Sequence, residues 1–194
     1  MEMIAPYGIR HDNRDVNKMT PIDQLRILAF KILIKYSNPY LRTLVARRYG
    51  AKIGKGCKIF SVNFGTEPYL VSIGDNSEVA SNVAFLTHDG GIWVLENQKR
   101  FEGTKFGPII IHDNCYIGYN SIILPDVEIG PNSIVGAGSV VTKRVPPNTV
   151  YAGNPAKLIS TLDQYLDKCN AKNTGQIKYE DKKKVLSERF KDRL

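Results

Sequence analysis

Residues 111–146 read IHDNCY IGYNSI ILPDVE IGPNSI VGAGSV VTKRVP, six hexapeptides that each begin with Ile or Val. The same period continues toward the N-terminus, in IGKGCK IFSVNF from residue 53 and in IGDNSE VASNVA FLTHDG from residue 73. Each of the eleven units begins with Ile, Val or Phe, and the fifth residue is small or Val in nine of them. A period of six with an aliphatic first position predicts a parallel β-helix, in which short strands stack between regularly spaced corners.

The fourth position of the hexapeptides indicates how the chain turns at each corner. Most residues there are Asn, Asp or Gly, which adopt left-handed backbone dihedrals at low cost. The exceptions are Val62, His88 and Arg144. His88 is expected to occupy such a left-handed corner, because His tolerates this region better than most residues. Three hexapeptides make one triangular coil, so the eleven units predict between three and four coils.

The segments on either side of the repeats are predicted to be helical. Thr20-Pro21-Ile22-Asp23 offers an N-cap, a proline at the first helical position and an acid in the first turn. Asn38-Pro39 breaks that helix, and a second helix, about Tyr40–Tyr49, ends at Gly50. The predicted organisation is an N-terminal arm and helical cap over 1–50, a β-helix over 51–158, and a charged helical tail over 159–194 that includes a short helix at Leu158–Ala171.

The net charge of +8 first suggests a nucleic-acid partner, but its distribution argues against one. Residues 59–158 contain six Lys and Arg against nine Asp and Glu, so the excess lies in the two ends. The two N-terminal helices carry six of these cations: Arg26, Lys31, Lys35, Arg42, Arg47 and Arg48. They form either a solvated face on helices that cap the β-helix, or a basic surface that rests on anionic lipid.

Hydropathy and cysteine content indicate the compartment. The longest strictly apolar stretches are four or five residues, so no membrane span is expected, and the first fifteen residues lack the apolar core of a secretory signal. Three Cys at unrelated spacings fit a reducing cytosol. Cys57 and Cys115 fall at fifth positions, where core packing is expected. We therefore expect a cytoplasmic protein, with at most peripheral contact with the inner face of the cell membrane.

The longest interruption of the repeat comes directly after His88. From Phe85 the next hexapeptide would begin at residue 91, yet the period resumes only at Ile111, so a loop over 90–107 is expected to leave the coil. Long loops in compact repeats are usually either functional or disordered. This loop carries Trp93, the only Trp of the chain. A His at the mouth of the loop and a rigid aromatic inside it predict a binding cleft.

A family resemblance is carried by FLTHDGGIWVL and by IGYNSIILPDVEIGPNSIVGAGSVVTKRVPPNTVYAGNPAKLI. Over about residues 51–160 the chain resembles the hexapeptide-repeat acyltransferases, most of all the branch that O-acetylates cell-surface polysaccharides, and next the maltose, galactoside and virginiamycin acetyltransferases. The resemblance implies a left-handed parallel β-helix and a homotrimer with active sites between subunits. It also implies acetyl transfer from acetyl-CoA to a sugar hydroxyl of a polysaccharide or its precursor.

The resemblance also assigns roles at the acceptor side of the reaction. His88 corresponds to the general base, which takes the proton of the acceptor hydroxyl while that oxygen attacks the thioester. Imidazole suits this role because it titrates near neutral pH. Asp89 and Trp93 are candidates for contact with the acceptor. The group that orients His88 is left open, since Asp89, a backbone carbonyl or an acid from elsewhere in the chain could serve.

The expected cofactor-binding residues lie further along the chain: Tyr119, Ala137, Thr142, Lys143 and Lys157. In the family the small residue corresponding to Ala137 lines the pantetheine arm, and basic residues contact the CoA phosphates. Tyr119 stands where relatives have a smaller residue. Ser160 stands where a second basic residue often follows.

Several alternatives stay open at the level of sequence. The acceptor could be the amine of a nucleotide-linked amino sugar or a hydroxylated antibiotic instead of a sugar hydroxyl. A non-catalytic structural β-helix is the alternative from a different class. A zinc site with three His ligands is disfavoured, because the chain has only His11, His88 and His112 and no clustered pair among them. No metal is therefore expected.

Overall fold

The computed structural model describes residues 20–22, 24–25, 28–29, 32, 38–172, 175, 178 and 180–191. The chain divides into two units, one up to Leu162 and one from Asp163 onward. The first unit contains the helices α1 (Pro39–Arg48) and α2 (Ile92–Asn97). Helix α3 (Leu162–Ala171) begins at the boundary of the two units, and helix α4 (Lys182–Phe190) lies in the second. Within the described ranges, no helix is long and apolar enough to cross a membrane.

The strands of the first unit form three sheets, which are the three faces of a coil. The first sheet contains, in spatial order, β1 (Lys52–Ile53), β4 (Val71–Ile73), β7 (Ile109–Ile111) and β10 (Glu128–Ile129). The second contains β14 (Lys157–Thr161), β13 (Thr149–Ala152), β11 (Ile134–Val135), β8 (Tyr116–Ile117), β5 (Glu78–Val79) and β2 (Lys58–Ile59). The third contains β12 (Val140–Val141), β9 (Ile122–Ile123), β6 (Val83–Phe85) and β3 (Val62–Asn63). All strand pairs are parallel except that of β13 with β14, so each turn of the chain stacks on the preceding one.

The first positions of the hexapeptides form the core of the coil, as the sequence predicts. All eleven are buried: Ile53, Ile59, Ile73, Val79, Phe85, Ile111, Ile117, Ile123, Ile129, Val135 and Val141. Fifth-position serines are buried beside them, and three of these donate to carbonyls of the neighbouring coil, as Ser133 Oγ does to Pro146 O at 2.8 Å. Cys115 packs in the same column, and burial raises the pKa of its thiol. The expectation of a structural role for this Cys is therefore confirmed.

The corners follow the predicted left-handed pattern at most fourth positions. The backbone angle φ is positive at Gly56, Asn76, Asn82, Asn114, Asn120, Asp126, Asn132 and Gly138. At His88 the prediction was wrong, because φ is not positive there. The angle is not positive at Val62 or Arg144 either, so a left-handed residue is not needed at every corner of the coil. At His88 the chain instead leaves the coil and forms an antiparallel bridge with Phe106.

Asn132 tests the corner geometry, because its φ is 55° and its side-chain amide joins a ladder of corner asparagines. Asn114 Nδ2 donates to Asn132 Oδ1 at 2.8 Å, and Asn132 Nδ2 donates to Asn148 Oδ1 at 3.1 Å. We expect Asn132→Val to lower the free energy of unfolding by about 1–2 kcal/mol more than Asn132→Gly, since both lose the ladder but only Val is strained at this φ. Urea unfolding of the two variants at one protein concentration measures the difference. Equal losses would contradict the strain.

Helix α1 covers the first coil, and the prediction of this helix is confirmed. Asn38 caps its N-terminus, with Oδ1 accepting from the backbone N–H of Leu41 at 2.9 Å. The chain turns out of the helix at Gly50, whose φ is +99°. Thr43 and Ala46 are buried, and α1 contacts β1 and β2. The helix therefore closes one end of the aliphatic column.

The basic side chains of the N-terminal segment are not one uniform solvated or lipid-facing group. Arg47 belongs to the fold, since its Nε donates to the carbonyl of Ile53 at 3.0 Å and its Nη2 donates to that of Gly54. Arg42 is half-buried on α1, and Arg48 is exposed. The other three predicted members, Arg26, Lys31 and Lys35, lie outside the described residues.

The boundary between the β-helix and the C-terminal tail differs from the prediction. The sequence predicted a helix over Leu158–Ala171, but Lys157–Thr161 form β14 and the helix begins only at Leu162. Gly153, with a φ of +101°, lets the chain reverse after β13. β14 then pairs antiparallel with β13 and covers the free edge of the last coil. Residues of β14 are stabilised as a strand by pairing with β13. The helical propensity of the local sequence does not reveal this pairing.

Candidate active site

His88 lies at the neck of the long loop, three residues after β6 ends at Phe85. Two backbone hydrogen bonds close this neck. Asp89 N donates to Lys105 O at 2.9 Å, and Gly107 N donates to Thr87 O at 2.9 Å. β7 then continues the coil directly beside β4, so the loop adds no strand to the sheets. The coil thus holds both ends of the loop and fixes the position of His88.

The loop folds back to form a cleft beside His88. Its helix α2 is anchored by Ile92, which is buried, while Trp93 is 59% exposed. The cleft has a volume of about 220 Å³ and is lined by His88, Asp89, Gly90, Ile92, Trp93, Glu96, Gly103, Thr104 and Phe106. Three residues selected from the sequence, His88, Asp89 and Trp93, therefore line one cavity.

A buried carboxylate lies behind His88, on the side away from the cleft. Glu67 has only 3% of its side chain exposed, and its Oε2 lies 3.1 Å from His88 Nδ1. Thr87 Oγ1 donates to the same oxygen at 2.6 Å, and Thr66 Oγ1 donates to Oε1. Both oxygens of the Glu67 carboxylate thus accept hydrogen bonds from neighbouring threonines.

The sequence analysis did not single out Glu67. It lies in the irregular stretch GTEPYLVS, which separates Ile59 from Ile73 by two residues more than two hexapeptides. A first signal was available, because an insertion in a regular coil bulges outward and this one contains a single carboxylate. The sequence alone does not show that this bulge contacts His88, which lies one coil further on. That contact depends on the register in which β3 pairs with β6.

The surroundings of Glu67 determine which nitrogen of His88 carries a proton. Burial opposes ionisation of this carboxyl, but the hydrogen bonds from Thr66, Thr87 and His88 outweigh it, so the pKa of Glu67 lies below its ordinary value. An ionised Glu67 can only accept, so Nδ1 of His88 is the donor. In the neutral imidazole Nε2 then keeps its lone pair. With 45% of the side chain exposed, His88 can accept a proton from a molecule in the cleft.

Asp89 does not orient His88, although it follows it in sequence. Its Oδ1 accepts from the backbone N–H of Gly91 at 2.9 Å, and its Oδ2 lies 3.8 Å from Lys105 Nζ. Asp89 therefore shapes the first turn of the loop and presents a carboxylate to the cleft. Phe106 covers the imidazole from another side, with ring centroids 6.0 Å apart and an interplanar angle of 71°.

The five predicted cofactor residues are distributed over two corners and one edge strand. Tyr119 and Ala137 lie one above the other at the corner that precedes the third sheet, where Gly138 N donates to Tyr119 O at 2.8 Å. Thr142 and Lys143 follow β12, at the corner where the loop of His88 also leaves the sheet. Lys157 begins β14. Within one chain these residues do not share a single pocket with His88.

Tyr119 is held in place despite its exposure. Its side chain is 53% exposed, and its hydroxyl accepts from Asn82 Nδ2 at 2.8 Å. Asn82 occupies the corner of the coil below, in the same column. The phenol ring of Tyr119 therefore covers the surface beneath Ala137. The family resemblance led us to expect a smaller residue at position 119.

Comparison with known proteins identifies the family. The family model described as bacterial transferase hexapeptide (six repeats) matches residues 108–143. Protein CapG of Staphylococcus aureus is 44% identical over 167 residues, which cover 84% of this chain and 96% of CapG. The chain belongs to the hexapeptide-repeat transferase family.

Two further relatives of this hexapeptide-repeat transferase define its class. The galactoside O-acetyltransferase of Escherichia coli (strain K12) is 40% identical over 129 residues, which cover 65% of this chain but only 62% of that protein. A solved structure of a galactoside acetyltransferase in complex with coenzyme A matches with a TM-score of 0.53 at 25% identity, covering 82% of this chain and 88% of that one. The predicted left-handed parallel β-helix is confirmed, and the transferase is an acetyltransferase.

A second His lies elsewhere on the coil of this acetyltransferase. His112 Nε2 lies 2.7 Å from Glu128 Oε1, and Arg144 Nε lies 3.4 Å from Oε2 of the same residue. The hydrogen bond from His112 and the charge of Arg144 lower the pKa of Glu128. Among the described residues no group of three or more His, Cys, Asp or Glu is arranged to hold a metal ion. His112 is thus part of a hydrogen-bonded surface cluster with Glu128 and Arg144, separate from the cleft.

Proposed function

We propose that this enzyme moves an acetyl group from acetyl-CoA to a hydroxyl of a sugar, with His88 as the general base. The observation that carries the proposal is the imidazole of His88 at the wall of a cleft, with Nδ1 committed to buried Glu67 and Nε2 left for the acceptor. The similarity to a galactoside O-acetyltransferase supports a sugar as acceptor. The acetylated sugar is part of a cell-surface polysaccharide or its precursor, and the reaction takes place in the cytoplasm.

This geometry supports a direct transfer, without an acyl-enzyme. The acceptor hydroxyl donates its proton to Nε2 of His88 while its oxygen attacks the carbonyl carbon of the thioester. His88 becomes an imidazolium, and the negative charge of Glu67 beside Nδ1 stabilises it. As the C–S bond breaks, the proton passes from Nε2 to the sulfur, so that the products are an O-acetyl sugar and free coenzyme A.

The surface around Ala137 suits the acyl donor. Gly138 has open space on its side-chain face, and Ala137 is exposed beside it, so an extended pantetheine arm can approach the backbone there. Lys143 and Lys157 are exposed cations, which suit a ligand with clustered phosphates. Thr142 adds a hydroxyl next to Lys143. Tyr119, fixed by Asn82, forms the floor of this surface.

The enzyme is proposed to act as a homotrimer with each site between two subunits. Ala137 comes before β12 and His88 comes after β6, so the two residues lie at opposite strand ends of the third sheet, and a donor seated at Ala137 of one subunit is not next to His88 of the same subunit. A closed ring of three copies brings the corner with Ala137 to the corner with His88 of the neighbour. In this arrangement the cofactor-binding residues of one subunit and the His88 loop of its neighbour together form one active site.

The role of Lys157 can be tested by a matched pair of ligands. We expect Lys157→Ala to weaken binding of CoA by about tenfold, because one charge-assisted contact to a phosphate is lost. Binding of dephospho-CoA, which lacks the 3′-phosphate, should change little. Isothermal titration calorimetry with both ligands measures the two ratios. Equal weakening of both would show that Lys157 does not contact the 3′-phosphate.

The proposed function itself is tested by coupling CoA release to product analysis. Acetyl-CoA is incubated with a panel of sugars, free thiol is measured, and products are identified by mass spectrometry. Release of CoA with a mass gain of one acetyl group on a hydroxyl supports the proposal. Acetylation of an amino sugar on nitrogen would replace it by N-acetyl transfer. A folded protein that binds no acetyl-CoA by calorimetry would instead be a non-catalytic β-helix.

A further inference from the structure

We infer that the acceptor of this enzyme carries no negative charge on the reacting sugar ring, and that the cleft selects against uronic acids and sugar phosphates. The inference rests on the proposed function, because it concerns the sugar that His88 deprotonates. It also rests on the side chains that line the cleft, which include carboxylates but no Lys or Arg among those described.

The cleft offers aromatic surface for the apolar face of a sugar ring. Trp93 is 59% exposed and lines the cleft, and Phe106 packs edge-on against the imidazole of His88. Because the coil holds both ends of the loop and His88 pairs with Phe106, the ring of Phe106 keeps a fixed relation to the base. Rigid aromatic walls with a few polar groups are typical of small-ligand sites. A pyranose placed against Trp93 presents its hydroxyls to the remaining lining groups.

Those remaining groups include two carboxylates. Glu96 lies three residues after Trp93 on α2, hence on the same face of the helix, and Asp89 borders the cleft at the neck of the loop. Carboxylates accept hydrogen bonds from sugar hydroxyls. Glu67 adds a third negative charge behind His88.

The cations of the loop are placed elsewhere. Of the side chains described around the cleft, none that lines it belongs to Lys or Arg. Lys105 does not line the cleft, but its Nζ lies 3.8 Å from Asp89 Oδ2 and offsets part of the charge of that carboxylate, so the charge selectivity depends chiefly on Glu96. An acceptor carboxylate or phosphate would therefore enter a site with like charges, which is an effective means of rejecting a wrong partner.

Trp93 makes the inference testable without catalysis, because it is the only Trp of the chain and lines the cleft. Its fluorescence is titrated with methyl glycosides of glucose, galactose and mannose and with the corresponding methyl uronosides, which differ only at C6. We expect a neutral member to bind at least about tenfold more tightly than its uronoside, and added salt to narrow the gap. A uronoside that binds as tightly as its neutral counterpart overturns the inference, as does a fluorescence that no neutral glycoside changes.

Matched variants locate the origin of the selectivity. Glu96→Gln keeps the shape of the side chain and removes its charge, so the preference for the neutral glycoside should fall by about threefold to tenfold. Glu102→Gln removes a charge from the same loop but outside the cleft, and should leave the preference unchanged. An unchanged preference in Glu96→Gln overturns the inference.

Activity with the same glycosides separates this inference from the proposed function. Neutral glycosides that bind at Trp93 but release no CoA from acetyl-CoA would overturn sugar O-acetylation and leave the charge selectivity of the cleft standing. Faster CoA release with the uronosides would overturn the selectivity and leave O-acetylation standing.

Discussion

Replacing His88 by Ala is expected to lower kcat for acetyl transfer by about 10²–10⁴-fold, the usual contribution of a general base. Without the imidazole, the acceptor hydroxyl loses the base proposed to take its proton, and Glu67 is left without its partner at Nδ1. The dissociation constant for acetyl-CoA should stay close to that of the unchanged protein, since none of the residues proposed to bind CoA lines the cleft beside His88. Single-turnover kinetics and calorimetry measure the two quantities separately.

His112→Ala is the matched control for this experiment. His112 also bonds to a carboxylate, Glu128, but on the surface of the coil and away from the cleft. Its replacement should leave kcat within about twofold, because it removes only a partly exposed side-chain contact that lies outside the cleft. If His88→Ala keeps its rate, or if both His variants lose the same factor, His88 is not the base. Circular dichroism confirms that either variant keeps the β-helix.

The fold could be predicted from the sequence because its information is local and repeated. Each hexapeptide specifies an inward aliphatic residue and a corner, and the core consists of these first positions, such as Ile117 and Ile123. Where local preference and tertiary pairing disagree, the prediction failed. Lys157–Thr161 were predicted as partly helical, yet they pair with β13, because the free edge of the last coil offers backbone partners that only the assembled fold reveals.

The candidate site could be predicted only in part, for a related reason. His88 and Trp93 were indicated by a break in the repeat, which is visible in the sequence. Glu67 was missed because its importance depends on the stacking of one coil on the next, which brings residues 21 positions apart into contact. The backbone of His88 is not left-handed, because this residue starts a loop and does not turn a corner of the coil.

Glu67→Gln is expected to lower kcat by about 10²-fold while the KM for acetyl-CoA stays nearly constant. The amide is neutral, so the imidazolium that forms during transfer loses the adjacent negative charge. If the amide nitrogen faces His88, it also donates to Nδ1, and the proton of the imidazole moves to Nε2, which can then no longer act as a base. Glu67 thus acts through His88 and is a positioning residue. Steady-state kinetics at saturating acceptor separates kcat from KM.

Two further measurements distinguish positioning from a purely structural role of Glu67. Nitrogen-15 shifts of the three His side chains report which ring nitrogen is protonated, and in the unchanged protein His88 should show a protonated Nδ1. Glu78→Gln is the matched control, since Glu78 is an exposed carboxylate on the same coil, 3.6 Å from Lys58 Nζ, and its loss should leave kcat unchanged. Glu67→Asp retains the charge but shortens the side chain, so it should recover part of the lost rate. A Glu67→Gln variant with full kcat, or one whose loss is entirely in KM, would show that the buried carboxylate supports only the fold.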